Sequence, residues 1–298
     1  TRRSSDLQKY ISNHENIQIV KGDLLDKASL LDVMDGVECI IHTAAVIGLR
    51  GERYKDQCQI NTEGTRNLLD AAMEKKVKRY IHTSSMETLR MGSIDNPPDE
   101  SEKYWYRKTT DPYAVSKIMA EKIVLEYENK GMDIIIMHMG MMIGPYDLKP
   151  STSGMIIRAP KLVTTFYPKG CINVLDVERA AEAMVNAISM ARPGERYLIV
   201  GQNLHYKQVY EILHQVAGHN KPRWPLPTTL VKVGSFFLWI SEKLFKTNPF
   251  VNSYRMGIIV RQLCFSSAKA EKELGLKPTE PYEAYKKAFD WFKENGYL

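Results

Sequence analysis

Tyr113 and Lys117 stand four residues apart in "DPYAVSK" (Asp111–Lys117), at the head of a stretch with helical spacing. Residues at i and i+4 share one face of a helix, so the phenol and the ammonium point into one space. Tyrosine alone is a poor acid or base at neutral pH, because its pKa lies near ~10. A fixed ammonium beside it favours the phenolate and lowers that pKa. The phenol then becomes a usable proton donor or acceptor for a carbonyl or an alcohol. Upstream, Ser85 closes the apolar run "KRYIHTSS" (Lys78–Ser85), where its hydroxyl can hold the same oxygen from the other side. Ser84 takes that role if the register is shifted by one. The three residues make an acid–base centre for interconverting C=O and CH–OH. A Y-x-x-x-K pair alone arises by chance in many helices. Its place after a serine-ended run, a helix opening with Asn61 and the strand end "HTAA" gives it weight.

These side chains need elements to position them. "NIQIVKGDL" (Asn16–Leu24) predicts a short strand ending in Gly22-Asp23, and Lys27–Gly36 a helix closed by glycine. The continuous apolar run Val37–Ala45 predicts a strand buried on both faces of a parallel sheet. Asn61–Val77 reads as an amphipathic helix and Lys78–Ser85 as the next strand. Ala114–Gly131 follows as a helix with Gly131 as its C-terminal cap, then Met132–Pro145 as a buried strand running into a turn. Strands alternating with helices predict an α/β fold, a parallel sheet with helices on both faces. Ligand groups in such sheets gather at the carboxyl ends of the strands. Ser84-Ser85, Thr43-Ala44-Ala45 and the residues around Gly140 all fall at such ends.

The 298 residues suffice for a well-buried core, and a hydrophobic share of 44% with 26% charged is ordinary for a globular protein. The net charge of +6 is mild and suits an anionic ligand. The basic residues are scattered, which argues against a nucleic-acid partner. The four cysteines, Cys39, Cys58, Cys171 and Cys264, form no C-x-x-C pair and lie at no ligand spacing to histidine. They are expected to be free thiols in a reducing compartment, and no metal site is expected. A cytoplasmic location fits the absence of a visible secretory signal. "LVKVGSFFLWISEKLF" (Leu230–Phe245) is too short and too interrupted to span a bilayer, so no transmembrane segment is expected. It reads as a helix over a substrate cleft, or as an amphipathic helix lying on a surface.

Taken together, "GDLLD" (Gly22–Asp26), "HTAA" (His42–Ala45), "NTEGTRNLLDAA" (Asn61–Ala72), "HTSS" (His82–Ser85) and "DPYAVSK" resemble the extended short-chain dehydrogenases/reductases. The resemblance is to the branch holding dihydroflavonol reductases and 3β-hydroxysteroid dehydrogenases, within the epimerase/dehydratase superfamily. "IGPYD" (Ile143–Asp147), "CINVLDVERAA" (Cys171–Ala181) and the C-terminal helix–turn–helix pattern extend it over nearly the whole chain. It implies a Rossmann-type doubly wound parallel sheet with a smaller C-terminal substrate-covering domain. The dinucleotide-binding domain would occupy residues 1–145 and the substrate domain 146–298, with 169–201 returning to the first sheet. It also implies Ser85, Tyr113 and Lys117 as catalytic triad, with Lys117 holding the nicotinamide ribose. Asp23 and Leu24 would flank the adenine, and Thr43, Ala44 and Ala45 would line the cofactor. Asn61 would support the cofactor site, and the Gly140, Met141, Met142 and Ile143 backbone would face the nicotinamide. Homodimers would pair through the helices Asn61–Lys76 and Ala114–Lys130.

The family opens with a strand and a glycine-rich turn that cradles a pyrophosphate at a helix N-terminus. No G-x-x-G-x-x-G stands in this chain, whose opening "TRRSSDLQKYI" resembles the end of the second strand. An N-terminal segment is therefore expected to precede it. Arg2 and Arg3 fall where guanidinium suits a ribose 2′-phosphate, which favours NADP(H) over NAD(H). His138-Met139 replaces a proline-containing pair of many relatives. Methionines 137, 139, 141 and 142 either line a broad apolar pocket or pack a buried strand. The leading expectation is an NADP(H)-dependent oxidoreductase for a ketone, aldehyde or secondary alcohol on a large apolar, steroid- or flavonoid-like substrate. The alternatives are a nucleotide-sugar epimerase or dehydratase with tightly held NAD, and a non-catalytic dinucleotide-binding protein.

Overall fold

The apolar runs of the first half become neighbouring parallel strands in the computed structural model, which describes residues 15–46, 54–102, 112–148, 154, 157–159, 161–245 and 253–298. In chain order the elements are α1 (Lys27–Leu31), β1 (Cys39–His42), α2 (Tyr54–Glu74), β2 (Arg79–Ser85), α3 (Pro112–Glu128), β3 (Asp133–Met139) and β4 (Met141–Ile143). There follow β5 (Phe166–Tyr167), β6 (Cys171–Asp176), α4 (Val177–Met190), β7 (Arg196–Ile199), β8 (Gln202–His205), α5 (Tyr206–Ala217) and β9 (Trp224–Pro225). The last are α6 (Thr228–Phe245), α7 (Ser253–Ile258), β10 (Gln262–Leu263), α8 (Ala268–Leu274) and α9 (Pro281–Glu294).

One sheet has the order β1-β2-β3-β7 and is parallel throughout. Its register pairs Ser85 with Met139 and Met139 with Ile199, which brings the ends of β2, β3 and β7 level, while β1 ends at His42 opposite His82, three residues earlier. Alternate side chains of a strand face opposite ways. Tyr80, Ile134 and Ile136 pack beneath α2 and α3, against Leu68, Leu69, Val124 and Tyr127. Ile81, Ile135, Met137 and Tyr197 pack on the other face against α4, whose Ala180, Ala183 and Ala187 let it approach closely. This is the α/β, helix-on-both-faces architecture expected.

A second sheet, β10-β6-β4 with β8 antiparallel to β6, builds its own core against α5 and α9. The chain passes from the first sheet to the second at two glycines. Gly140 separates β3 from β4, and Gly201 separates β7 from β8. A Cβ on Gly140 would lie 2.7 Å from Asn173 Oδ1, and one on Gly201 would lie 2.0 Å from the Val174 carbonyl oxygen. Buried Asn173 fastens the seam. Its amide donates to the Gly201 carbonyl (2.8 Å), and its Oδ1 accepts from the Gly201 N–H (2.7 Å).

Four local expectations are corrected. Asn16–Leu24 forms no strand, and Ile17, Ile19 and Val20 are exposed. A strand exists only through a ladder partner, and no described strand pairs with this segment. The helix expected over Lys27–Gly36 is only five residues long, and Gly36 follows in the left-handed region (φ 76°). The run Met132–Pro145 is two strands, split where Gly140 changes sheets. The cysteines are not all free. The parallel pairing of β10 with β6 brings Cys171 and Cys264 into disulfide contact, while Cys39 and Cys58 remain unpaired. Of the methionines, Met137 and Met139 are core residues, and Met142 is exposed. Among the described residues no helix is long and apolar enough to cross a membrane, and no cluster of ligating side chains could hold a metal ion.

Candidate active site

The carboxyl ends of β1 and β2, and the N-terminal turns of α2 and α3, are joined by one hydrogen-bond network. Lys117 sits in the second turn of α3, only 5% exposed, and its Nζ donates to the Thr83 carbonyl of β2 (2.8 Å). The Thr83 hydroxyl in turn donates to the His42 carbonyl at the end of β1 (2.7 Å). Burial lowers the Lys117 pKa to about 8, against the opposing pull of the Glu121 carboxylate. The ammonium is therefore held in a dry position at the strand end, one helical turn from Tyr113. Tyr113 is half-buried at the start of α3, and its carbonyl accepts from the Ser116 hydroxyl (2.8 Å).

Asn61 completes the frame from α2. Its Oδ1 accepts from the Val46 N–H (2.8 Å). Its Nδ2 reaches the Val46 carbonyl (3.0 Å) and the Ser116 hydroxyl (3.0 Å). One buried amide thus pins the segment after β1 to the turn carrying Tyr113. Thr43 and Ala44 are exposed on that segment, and Ala45 is half-exposed. Asp23 and Leu24 bear on the same helix. The Leu24 carbonyl accepts from Asn67 (2.9 Å), and a Cβ on Gly64 would meet the Leu24 Cβ at 2.9 Å. The Asp23 carboxylate is exposed and closes its own turn by accepting from the Leu25 N–H (3.0 Å).

The two serines are distinguished by the pleat. Ser84 faces α3, buried, and donates to the Glu121 carboxylate. Ser85 ends the strand, its Oγ accepting from the Glu87 N–H (3.2 Å). Ser85 is the ladder partner of Met139, so Gly140 follows directly beside it. Met141, Met142 and Ile143 belong to β4 in the second sheet, where Met142 is exposed and Ile143 is buried in the core. Arg2 and Arg3 lie outside the described residues.

Sequence reasoning missed the layer behind the site. Glu121 is fully buried, and its Oε1 lies 3.7 Å from His138 Nδ1. That ring nitrogen is 3.1 Å from the Thr88 hydroxyl, which donates to the Ser85 carbonyl (2.8 Å). The signal was present, because Glu121 stands four residues after Lys117 as Lys117 does after Tyr113, placing all three on one helix face. Burial lowers the pKa of His42 to about 4, aided by the charge of Lys117, and holds His82 and His138 below the ordinary histidine value. At neutral pH the buried rings are uncharged. His82 stacks on Tyr80 (6.3 Å between ring centroids), and both its ring nitrogens lack a partner among the described residues.

A parallel sheet covered by helices on both faces, with polar groups gathered at the carboxyl ends of its strands, is the Rossmann-like class of α/β protein. The chain belongs to the NAD dependent epimerase/dehydratase family, whose model matches residues 1–199, and so to the extended short-chain dehydrogenase/reductase superfamily. It is 28% identical over 284 residues to sterol demethylase protein B of Methylococcus capsulatus (strain ATCC 33009 / NCIMB 11132 / Bath), covering 93% of this chain and 85% of the relative. It is also 28% identical over 296 residues to a putative dihydroflavonol 4-reductase of Synechocystis sp. (strain ATCC 27184 / PCC 6803 / Kazusa), covering 96% and 85%. Among solved structures, gox2253 superposes with a TM-score of 0.83 at 28% identity, over 96% of this chain and 87% of the other. Members of the family are NAD(P)-dependent reductases, dehydratases and epimerases.

Proposed function

We propose that this protein is an NADP(H)-dependent oxidoreductase that interconverts a ketone or aldehyde and an alcohol on a fairly large apolar substrate. The observation that carries this reading is the buried Lys117 ammonium, fixed by the Thr83 carbonyl one helical turn from Tyr113. In the reductive direction Tyr113 Oη gives its proton to the carbonyl oxygen as hydride adds to the carbonyl carbon. In the oxidative direction the phenolate takes that proton back. Lys117 stabilises the phenolate through its charge. Ser85 Oγ donates to the same substrate oxygen and fixes its orientation. The bound nicotinamide supplies the hydride in one direction and accepts it in the other.

The chain's own residues suit that cofactor. The exposed Thr43–Ala45 segment is pinned by Asn61 at a strand end. Gly140 follows directly beside Ser85, which puts its backbone at the same strand end as the Ser85 hydroxyl. Arg2 and Arg3 support a 2′-phosphate by charge and position in the sequence. The apolar substrate class is supported by the similarity to sterol demethylase protein B and to a putative dihydroflavonol 4-reductase. The domain reading is part of this proposal, with residues 1–145 holding cofactor and 146–298 mostly shaping the substrate site.

The test is NADPH oxidation with a panel of steroid and flavonoid ketones. Tyr113→Phe should lower kcat by about 10²- to 10⁴-fold. Near-wild-type turnover in that variant would sink the mechanism. Purified protein carrying stoichiometric NAD and acting on nucleotide sugars would replace the reading with an epimerase or dehydratase.

A further inference from the structure

Helix α6 presents the wrong face to water. Soluble helices bury their apolar stripe and expose the polar one. The inward side of α6 packs on α7: Val231 is buried, and the Ser235 hydroxyl donates to the Ser253 carbonyl of α7 (2.6 Å). Outward, Leu230, Val233, Phe237 (63% exposed) and Leu244 (72%) follow one another at helical spacing. Phe236 and Trp239 widen this stripe, stacked on each other at 6.0 Å between centroids. Further exposed apolar residues precede the helix in the chain. Strand β9, which precedes α6 by two residues, pairs with β5, and Phe166 and Trp224 are ladder partners that are both exposed. Leu162 and Val163 of the preceding turn are exposed as well. Scattered apolar residues need no explanation, but a contiguous patch marks an interaction surface.

Charge identifies what it meets. The stretches 157–169 and 218–241 contain Arg158, Lys161, Lys169, Lys221, Arg223 and Lys232 and no acid, and the rest of α6 adds one of each sign, Glu242 and Lys243. All six side chains are exposed, and none enters an ion pair among the described residues. We infer that α6, with the β5–β9 ribbon, lies on the surface of an anionic lipid bilayer, its aromatic stripe in the headgroup layer and its cations toward the lipid phosphates. An interfacial helix combines this composition with too little length and hydrophobicity to span, as here. A second copy of the chain fits less well, because a twofold contact over this patch would set cations against cations. A single small substrate is far shorter than the helix, which extends about 27 Å.

The test is co-sedimentation of the full chain with vesicles of equimolar phosphatidylcholine and phosphatidylglycerol, compared with phosphatidylcholine alone, at low and high salt. The protein should bind the anionic vesicles, and salt should weaken the binding. Neutralising Lys221, Arg223 and Lys232 should weaken it by roughly fivefold for each cation removed. The double variant Phe237→Glu, Trp239→Glu should lose vesicle binding with an unchanged melting temperature, since both side chains face solvent. Absence of binding to either vesicle, or unchanged binding by the double variant, overturns the inference. So does a double variant that instead breaks a dimer in sedimentation velocity, or raises KM for a soluble carbonyl substrate while vesicle binding persists. The vesicle and sedimentation readouts do not depend on turnover, so the inference and the catalytic reading fail separately.

Discussion

At the scale of residues, the candidate site turns on a cation held where water is scarce. Lys117 keeps a folded pKa of about 8 because burial disfavours its charge, while the unfolded chain restores the ordinary value of 10.5. Between those two values the unfolded state binds more protons than the folded one. Stability contributed at this position therefore rises as pH rises from about 8 toward 10.5, and below about 8 the fold carries the cost of a buried charge. Lys117→Met removes the titrating group. The difference in urea midpoint between wild type and variant should shift in favour of wild type as pH is raised from neutrality through this window, in cofactor-free protein. A pH-independent difference would mean that the ammonium is better solvated than its 5% exposure implies. The same reasoning separates the two serines. Ser84 is committed to Glu121 in the interior, so of the two serines Ser85 is the one proposed to hold a substrate oxygen.

At the scale of elements, function depends on how two sheets are joined. The crossings at Gly140 and Gly201 bring backbone so close to β6 that no Cβ fits. Neither glycine is in the left-handed region, so the constraint is space and not conformational freedom. At Gly201 the obstacles are backbone atoms of Val174 and Leu175, which cannot rotate away. Gly201→Ala should destabilise the protein by about 1–3 kcal/mol, the usual cost of overpacking, read as a lower denaturant midpoint. An unchanged midpoint would show that β6 and β7 can part freely.

These elements also show what a sequence discloses. The strands ending at His42 and Ser85 were legible as unbroken apolar runs, although only β2 is buried on both faces and Cys39, Ile40 and Ile41 of β1 are half-buried. The helix from Pro112 was legible because Tyr113, Lys117 and Gly131 mark its face and its end. The split of Met132–Pro145 was not, since the apolar run continues across Gly140 and only contact with Asn173 of another strand reveals the change of sheet. The failed strand at Asn16–Leu24 has the same origin. Its pattern is right for a strand, but pairing is a property of the neighbour. The His138–Thr88–Ser85 chain was equally hidden, because it joins three segments through single atoms.

At the scale of the whole molecule, the network from Asn61 to Lys117 ties two helices and two strand ends into one unit, so a ligand seated there should stabilise the entire first sheet. A ligand that binds only the folded state, at about 100 times its dissociation constant, adds about 2.7 kcal/mol. Thermal unfolding of cofactor-free protein should therefore move upward with NADPH. NADH makes every contact that NADPH makes except those to the 2′-phosphate, so its smaller shift would measure what Arg2 and Arg3 contribute. Substituting both arginines by alanine should bring the NADPH shift down to that of NADH. Equal shifts in the wild-type protein would remove the argument for NADP(H) while leaving the dinucleotide site in place. No shift with either nucleotide would remove the site itself, and with it the assignment of Tyr113 as a partner to hydride transfer.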